Sequence, residues 1–187
     1  MRKILCTLMF CGVAMAAKGQ SPIQHQEVDL AVTYATEHSN LTSGSNFWRQ
    51  GGGAELSAEV FHGFGIAANV TGTHVKDINN SNVPLTTITA TFGPHYTWSR
   101  RKLAVFGQGL VGESRGIDGV FPSSTGALSE WNSLALQVGG GVDLRVSRHF
   151  AVRPIQADWI RTQFPNGGTN VQNSVRLAAG VVLRLGR

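Results

Sequence analysis

The sequence predicts an all-β protein, an eight-stranded antiparallel up-and-down transmembrane β-barrel that follows a cleaved signal peptide. Three observations carry this reading. Extended segments with period-two alternation recur from residue 27 onward, and no stretch there sustains a helical period. The links between segments run long, short, long, short, long, short, long, so all long loops fall at one end, as in membrane barrels. The face opposite the apolar one is small, polar and in places charged.

The chain opens with a basic pair, Arg2 and Lys3, and an apolar run from Ile4 to Ala16, which is too short for an ordinary spanning helix. Small residues suit cleavage after Ala16 or after Gly19. Residues 1–19 are therefore read as the signal peptide, 20–26 as a short N-terminal segment and 27–187 as the barrel. Both cysteines, Cys6 and Cys11, leave with the signal, so the mature chain has no thiol for a disulfide or a metal. Phe10 is bulkier than the residue a lipoprotein cleavage site accepts before its cysteine. Loss of Arg2, Lys3 and Lys18 lowers the formal charge from +5 to +2, which weakens any case for nucleic-acid binding.

Eight segments follow. Glu27 to Thr36 places Val28, Leu30, Val32 and Tyr34 on one face. In Phe47 to Val60, Ala54, Leu56, Ala58 and Val60 alternate with Gly53, Glu55, Ser57 and Glu59. Phe64 to His74 sets Ile66, Ala68 and Val70 against Ala67, Asn69 and Thr71. Leu85 to Trp98 sets Ile88, Ala90, Phe92, Tyr96 and Trp98 against Thr87, Thr89, Thr91, His95 and Thr97. Leu103 to Arg115 is ambiguous in its facing. Ser133 to Val146 opposes Leu134, Leu136, Val138, Val142 and Leu144 to Gln137, Gly139, Gly141, Asp143 and Arg145. Phe150 to Phe164 is the seventh segment. Asn173 to Leu185 closes the series, with Val175, Leu177, Val181 and Leu183 against Ser174, Arg176 and Arg184.

In lipid every backbone polar group needs an internal partner, so a sheet survives only if it closes. The apolar face then looks outward and the polar face inward. An eight-stranded barrel has room inside only for side chains. Glu55, Glu59, Asp143, Arg145, Asp158, Arg176 and Arg184 are thus expected to form a lumenal charge network with a structural or gating role, paired because unpaired buried charge is costly. Arg153 shares parity with the apolar Ile155 and Trp159; Pro154 beside it marks a bulge that would shift the phase. Tyr34, Trp48, Tyr96, Trp98, Phe150 and Trp159 lie near segment ends and suit interfacial girdles.

Three stretches resemble a known family: "GGGVDLRVSRHFAVRPIQADWIRTQF" from Gly139, "VRLAAGVVLRLG" from Val175 and "FGPHYTW" from Phe92. Together they resemble the small outer-membrane β-barrel proteins of the OmpA-like transmembrane-domain type, over Glu27 to Arg187. The resemblance implies an eight-stranded barrel in the outer membrane, insertion by the outer-membrane assembly machinery and no cofactor; with the barrel expected over 27–187, no peptidoglycan-binding domain is expected after it. Many members end in an aromatic residue, whereas this chain ends Leu185-Gly186-Arg187.

Other motifs yield to plainer readings. "GQGLVG", Gly107 to Gly112, has the dinucleotide glycine spacing, but Gly and Pro in the residues after it break the helix that site requires. The histidines His25, His38, His62, His74, His95 and His149 lack metal-ligand spacing, so no metal is expected. The sequons at Asn40 and Asn69 carry no meaning on a bacterial barrel, and Arg100-Arg101-Lys102 reads as a solvated or headgroup-facing corner. The expected function is an integral outer-membrane barrel with a structural or envelope-interaction role, or a narrow gated pore. Its expected partners are outer-membrane lipids and the assembly machinery, with no nucleic acid, in a monomer that is not an enzyme. Two alternatives stand beside it. One is a soluble periplasmic lipocalin-like barrel with the Leu/Val face turned inward around a ligand. The other is an outer-membrane lipid-modifying enzyme that uses His95 or His149.

Overall fold

The computed structural model describes residues 27–40, 46–124, 126–166 and 168–185; the segment read as a signal peptide lies outside them. Alternating sequence becomes strand almost everywhere it was expected. The strands are β1 (Val28–Asn40), β2 (Asn46–Phe61), β3 (Phe64–Val75), β4 (Leu85–Arg100), β5 (Leu103–Ile117), β6 (Phe121–Ser123), β7 (Gly126–Leu128), β8 (Trp131–Arg145), β9 (Phe150–Thr162) and β10 (Gln172–Arg184). Eight of them close a barrel in the order β1-β10-β9-β8-β5-β4-β3-β2, every neighbouring pair antiparallel. The barrel strands are 12 to 16 residues long. That exceeds the ~9–11 residues needed to cross hydrocarbon at a tilt.

The tight turns follow from local chemistry. His62 and Gly63 sit between the paired Phe61 and Phe64, both with positive φ (46° and 84°), the geometry a two-residue hairpin needs to match strand twist. Arg101-Lys102 is also a two-residue link, between the paired Arg100 and Leu103, but with Arg101 alone at positive φ (53°). In the third turn the Ser147 hydroxyl accepts from the amides of His149 and Phe150 at 3.3 and 3.1 Å. Arg100, Arg101, Lys102 and Arg148 cluster at this turn end. The four long connections at the loop end together hold only Lys76, Asp77, Asp118 and Glu130 as charged residues.

The wall is sorted by parity. Val32, Leu56, Ile66, Val70, Ile88, Phe92, Leu136, Val138, Leu177 and Val181 all point outward and are exposed. Buried on the inner side are Glu55, Asn69, Thr89, Gln108, Gln137, Asp158 and Arg176. A lipocalin-like arrangement would require the reverse. The fifth segment resolves cleanly, with Ala104, Phe106, Gln108, Leu110 and Ser114 inward and Leu103, Val105 and Val111 outward. "GQGLVG" lies wholly inside β5, with strand on both sides.

Three details differ from the expectation. β1 runs to Asn40, because its ladder with β2 continues through Glu37↔Arg49 and His38↔Trp48, so Glu37 belongs to the wall and not to a loop. The long connection after β5 holds the β6–β7 hairpin, whose Phe121 packs into the barrel mouth. Tyr34 is no girdle residue: it faces Gly52 and Ala179 in mid-wall and donates its hydroxyl to Gln50 at 2.8 Å. Phe61, Phe64, Tyr96, Trp98 and Phe150 do ring the turn end, and the Phe64 and Tyr96 rings meet with centroids 4.6 Å apart.

Candidate functional site

The inner face is filled by charge, and a one-residue device in β9 puts its central member there. Gln156 pairs with Ala178 and Arg153 with Gly180, so three steps on β9 match two on β10; the same offset appears against β8 between Val142 and Leu144. The extra residue is a bulge at Pro154-Ile155. Proline has no N–H to give a ladder and is tolerated where the ladder is already broken. Before the bulge Ala151 and Arg153 face inward, and after it Gln156, Asp158, Ile160 and Thr162 do. Both Arg153 and Asp158 thereby become lumenal.

Arg153 is 2% exposed and binds two acids. Its Nε and Nη2 donate to Asp143 Oδ1 and Oδ2 at 2.8 and 3.0 Å, a bidentate fork. Its Nη1 donates to Glu55 Oε1 at 2.8 Å and to Gln156 Oε1 at 2.9 Å. The guanidinium also lies 4.1 Å from the centroid of the Phe106 ring, against which His95 stacks from another side. A ring this large fits because β8 is glycine-lined there: a Cβ on Gly141 would come within 2.9 Å of Phe106.

The next layer toward the loop end is built on Asp158 and Arg176. Arg176 Nη2 donates to Asp158 Oδ2 at 3.2 Å and to Asn69 Oδ1 at 3.4 Å. Gln108 and Gln156 tie the two layers together. Gln108 Nε2 reaches Glu55 at 3.0 Å and Asp158 at 3.3 Å; Gln156 Nε2 reaches Asp158 at 2.9 Å. Above these, Thr91 donates to Gln137 and Thr89 shares a hydrogen bond with Ser114. Near the mouth Arg49 Nη2 pairs with Glu37 Oε1 at 2.5 Å, and its Nη1 bonds the Thr87 hydroxyl.

The turn end is closed by Arg184, which donates to Glu27 at 2.9 Å and to Asp29 at 3.3 Å. Between this layer and Arg153 lies a cavity of only about 30 Å³, bordered by Glu59, His95, Asp143 and Arg145. Such a space holds about one water.

Of the seven residues read from sequence as a lumenal network, Glu55, Asp143, Asp158, Arg176 and Arg184 are buried inside and ion-paired. Glu59 is half-buried and accepts from the amide of Gly63 at 2.8 Å. Arg145 stands at the turn-end mouth, where it donates to Ser99 Oγ at 2.9 Å and to the Arg101 carbonyl at 3.4 Å. Arg153, Glu37 and Arg49 join the network beyond those seven, and the bulge that Pro154 marks in the sequence is what turns Arg153 inward. Arg49 shares the parity of Glu55, and Glu37 pairs with it across the ladder.

His95 is buried, 3.4 Å from Thr97 Oγ1 through Nδ1, and His149 stands in the third turn. Among the described residues no cluster of His, Cys, Asp and Glu is arranged to hold a metal.

No family model matches the chain, and no curated protein matches it. Solved structures do. Neisserial surface protein A aligns with a TM-score of 0.62 and 15% identity, over 84% of this chain and 97% of its own. Ail, the attachment invasion locus protein of Yersinia pestis, aligns with a TM-score of 0.60 and 15% identity, over 86% of this chain and 99% of its own. The outer membrane protein OprG from Pseudomonas aeruginosa aligns with a TM-score of 0.50 and 10% identity, over 87% and 97%. The fold is that of the small outer-membrane β-barrels.

Proposed function

We propose that this chain is an integral outer-membrane barrel whose lumen is a salt-bridged plug, and that it serves a structural or envelope-interaction role rather than catalysis. One observation carries the reading: a closed barrel exposes its Leu, Val, Ile and Phe face while burying Arg153, Arg176, Glu55 and Asp158. In water that arrangement would leave a large apolar belt exposed and charges needlessly desolvated. In a bilayer both halves are favourable, since the belt meets acyl chains and the charges neutralise each other inside. The fold shared with known outer-membrane barrels supports the same location. The turn end would then face the periplasm and the loop end the exterior.

The resting lumen conducts nothing through the Arg153 and Arg176 layers, because side chains fill it. A narrow conduit would exist only in a state where Arg176 leaves Asp158, or Arg153 leaves Glu55. Presentation of the loop end to the surroundings is the role that needs no such change. The monomer suffices, since closure leaves no strand edge to pair.

The test is cell fractionation joined to gel migration with and without boiling. The expected result is an outer-membrane fraction whose unboiled band migrates as a compact, SDS-resistant species. Recovery from the periplasm without detergent would overturn the proposal.

A further inference from the structure

The loop end holds a second cavity, of about 210 Å³, unlike the water-sized space at the turn end. Its lining is divided by chemistry. Phe47, Phe121 and Phe164, each buried, form the walls with Ile78, Leu85 and Val120. The walls are held from behind. Phe121 sits against Gly116 and Gly119, where an added Cβ would lie 2.4 and 3.0 Å from its ring. The Gln172 side chain bonds both the N–H and the C=O of Phe164 at 2.9 Å, which fixes that ring facing Phe121 at 5.5 Å.

Arg49 also lines the cavity, and is 5% exposed. Two of its nitrogens are committed, Nη2 to Glu37 and Nη1 to Thr87. Its Nε is buried with no hydrogen-bond partner, and among the described residues Arg49 is the one residue lining this cavity that carries such a donor; the atom itself has no free surface, so an occupant must draw the guanidinium toward itself to reach it. A buried donor left unsatisfied is an expensive feature unless something comes to meet it.

We propose that this cavity binds a small, neutral, largely apolar molecule carrying one acceptor oxygen, of which an aryl ketone is the simplest example, with the oxygen accepting from Arg49 Nε. Size argues for it: an apolar cavity of roughly 150 Å³ takes benzene, so the larger space here takes a ring and a few further atoms. Charge argues for neutrality. Glu37 already balances Arg49 at 2.5 Å and would repel an anion placed beside it. The site is separate from the Arg153 and Arg176 layers and holds whether or not the lumen ever opens.

The experiment uses the refolded chain in phospholipid nanodiscs, followed by NMR during titration with acetophenone and, separately, with ethylbenzene. The expected result is saturable shifts at the Phe47, Phe121 and Phe164 amides, with acetophenone binding about tenfold tighter, the worth of one hydrogen bond. Arg49→Lys keeps a cation for Glu37 but lacks the Nε donor; it should lower acetophenone affinity to the ethylbenzene level and leave ethylbenzene unchanged. Gly119→Leu, which fills the cavity beside Phe121, should abolish both. Equal affinities for the two probes would overturn the proposal. So would undiminished binding to the Gly119→Leu protein, or unsaturable shifts spread over outward residues such as Val138 and Leu177.

Discussion

Arg153 Nη1 donates to Glu55 Oε1 at 2.8 Å across the lumen, joining residues 98 positions apart on strands separated by β1 and β10. The same guanidinium holds Asp143, so one cation satisfies two acids. Removing it strands both. Arg153→Met is expected to destabilise the barrel by about 3–5 kcal/mol, the cost of leaving a buried charge uncompensated. Adding Glu55→Gln and Asp143→Asn to that variant should restore most of the loss. Urea unfolding in lipid vesicles measures both; a single variant as stable as the parent would contradict the ion-paired plug.

The bulge in β9 is a matter of residue count, not of proline as such. Pro154→Ala should fold and migrate normally, because the extra residue remains. Deleting Pro154 removes the extra residue and leaves Arg153, Ile155 and Gln156 alternating in, out, in, so the lumenal side chains keep their places. The deletion protein should therefore also give the compact unboiled band. Loss of that band on deletion would show that the bulge itself, and not only the facing it sets, is needed for the barrel.

Wall polarity can be read directly with spin labels. Labels at Leu136 and Leu177 should be relaxed by dissolved oxygen, which concentrates in acyl chains, and ignored by a water-soluble nickel chelate. A label at Glu113 or Arg115, outward but near the loop end of β5, should show the opposite preference. Chelate access at Leu136 would place the wall in water.

Conduction separates the inner layers from the mouth. Planar-bilayer recordings of the parent barrel should be flat or show only rare brief openings. Arg176→Ala removes the cation that bridges Asp158 to Asn69, and should raise the open fraction several-fold. Arg145→Ala should leave the trace unchanged, since Arg145 binds the β4–β5 turn rather than the central layers. Identical traces from the parent and Arg176→Ala proteins would remove the network from any gating role.

The barrel was legible because period-two alternation survives in almost every strand, and because turn lengths alternate where topology demands it. Legibility failed where a local count intervenes. Arg153 carries the parity of Ile155; Pro154 signals a bulge between them, but the hydrogen-bond ladder is what locates the skipped step. Glu37 was lost for a different reason. "EHSN" is polar on both faces, so no alternation marks it as strand, and its place is fixed by pairing with "NFWR" on β2. The β6–β7 hairpin escaped because two three-residue strands are too short for any period, and Phe121 holds it in place through tertiary packing. Individual charge partners were out of reach for a geometric reason. Which acid meets which arginine depends on the stagger between strands, a property of the closed wall as a whole.

The uneven distribution of charge between the two ends bears on how the molecule enters its membrane. A barrel assembled from the periplasmic side must pull one set of connections through hydrocarbon, and each ion dragged across raises the barrier. If the long set leads, it carries four charged residues, of which Lys76 and Asp77 are adjacent and opposite in sign. The short corners also carry four, Arg100, Arg101, Lys102 and Arg148, but all are cations with no acid among them to offset their desolvation. Entry with the long connections leading would therefore be the cheaper direction.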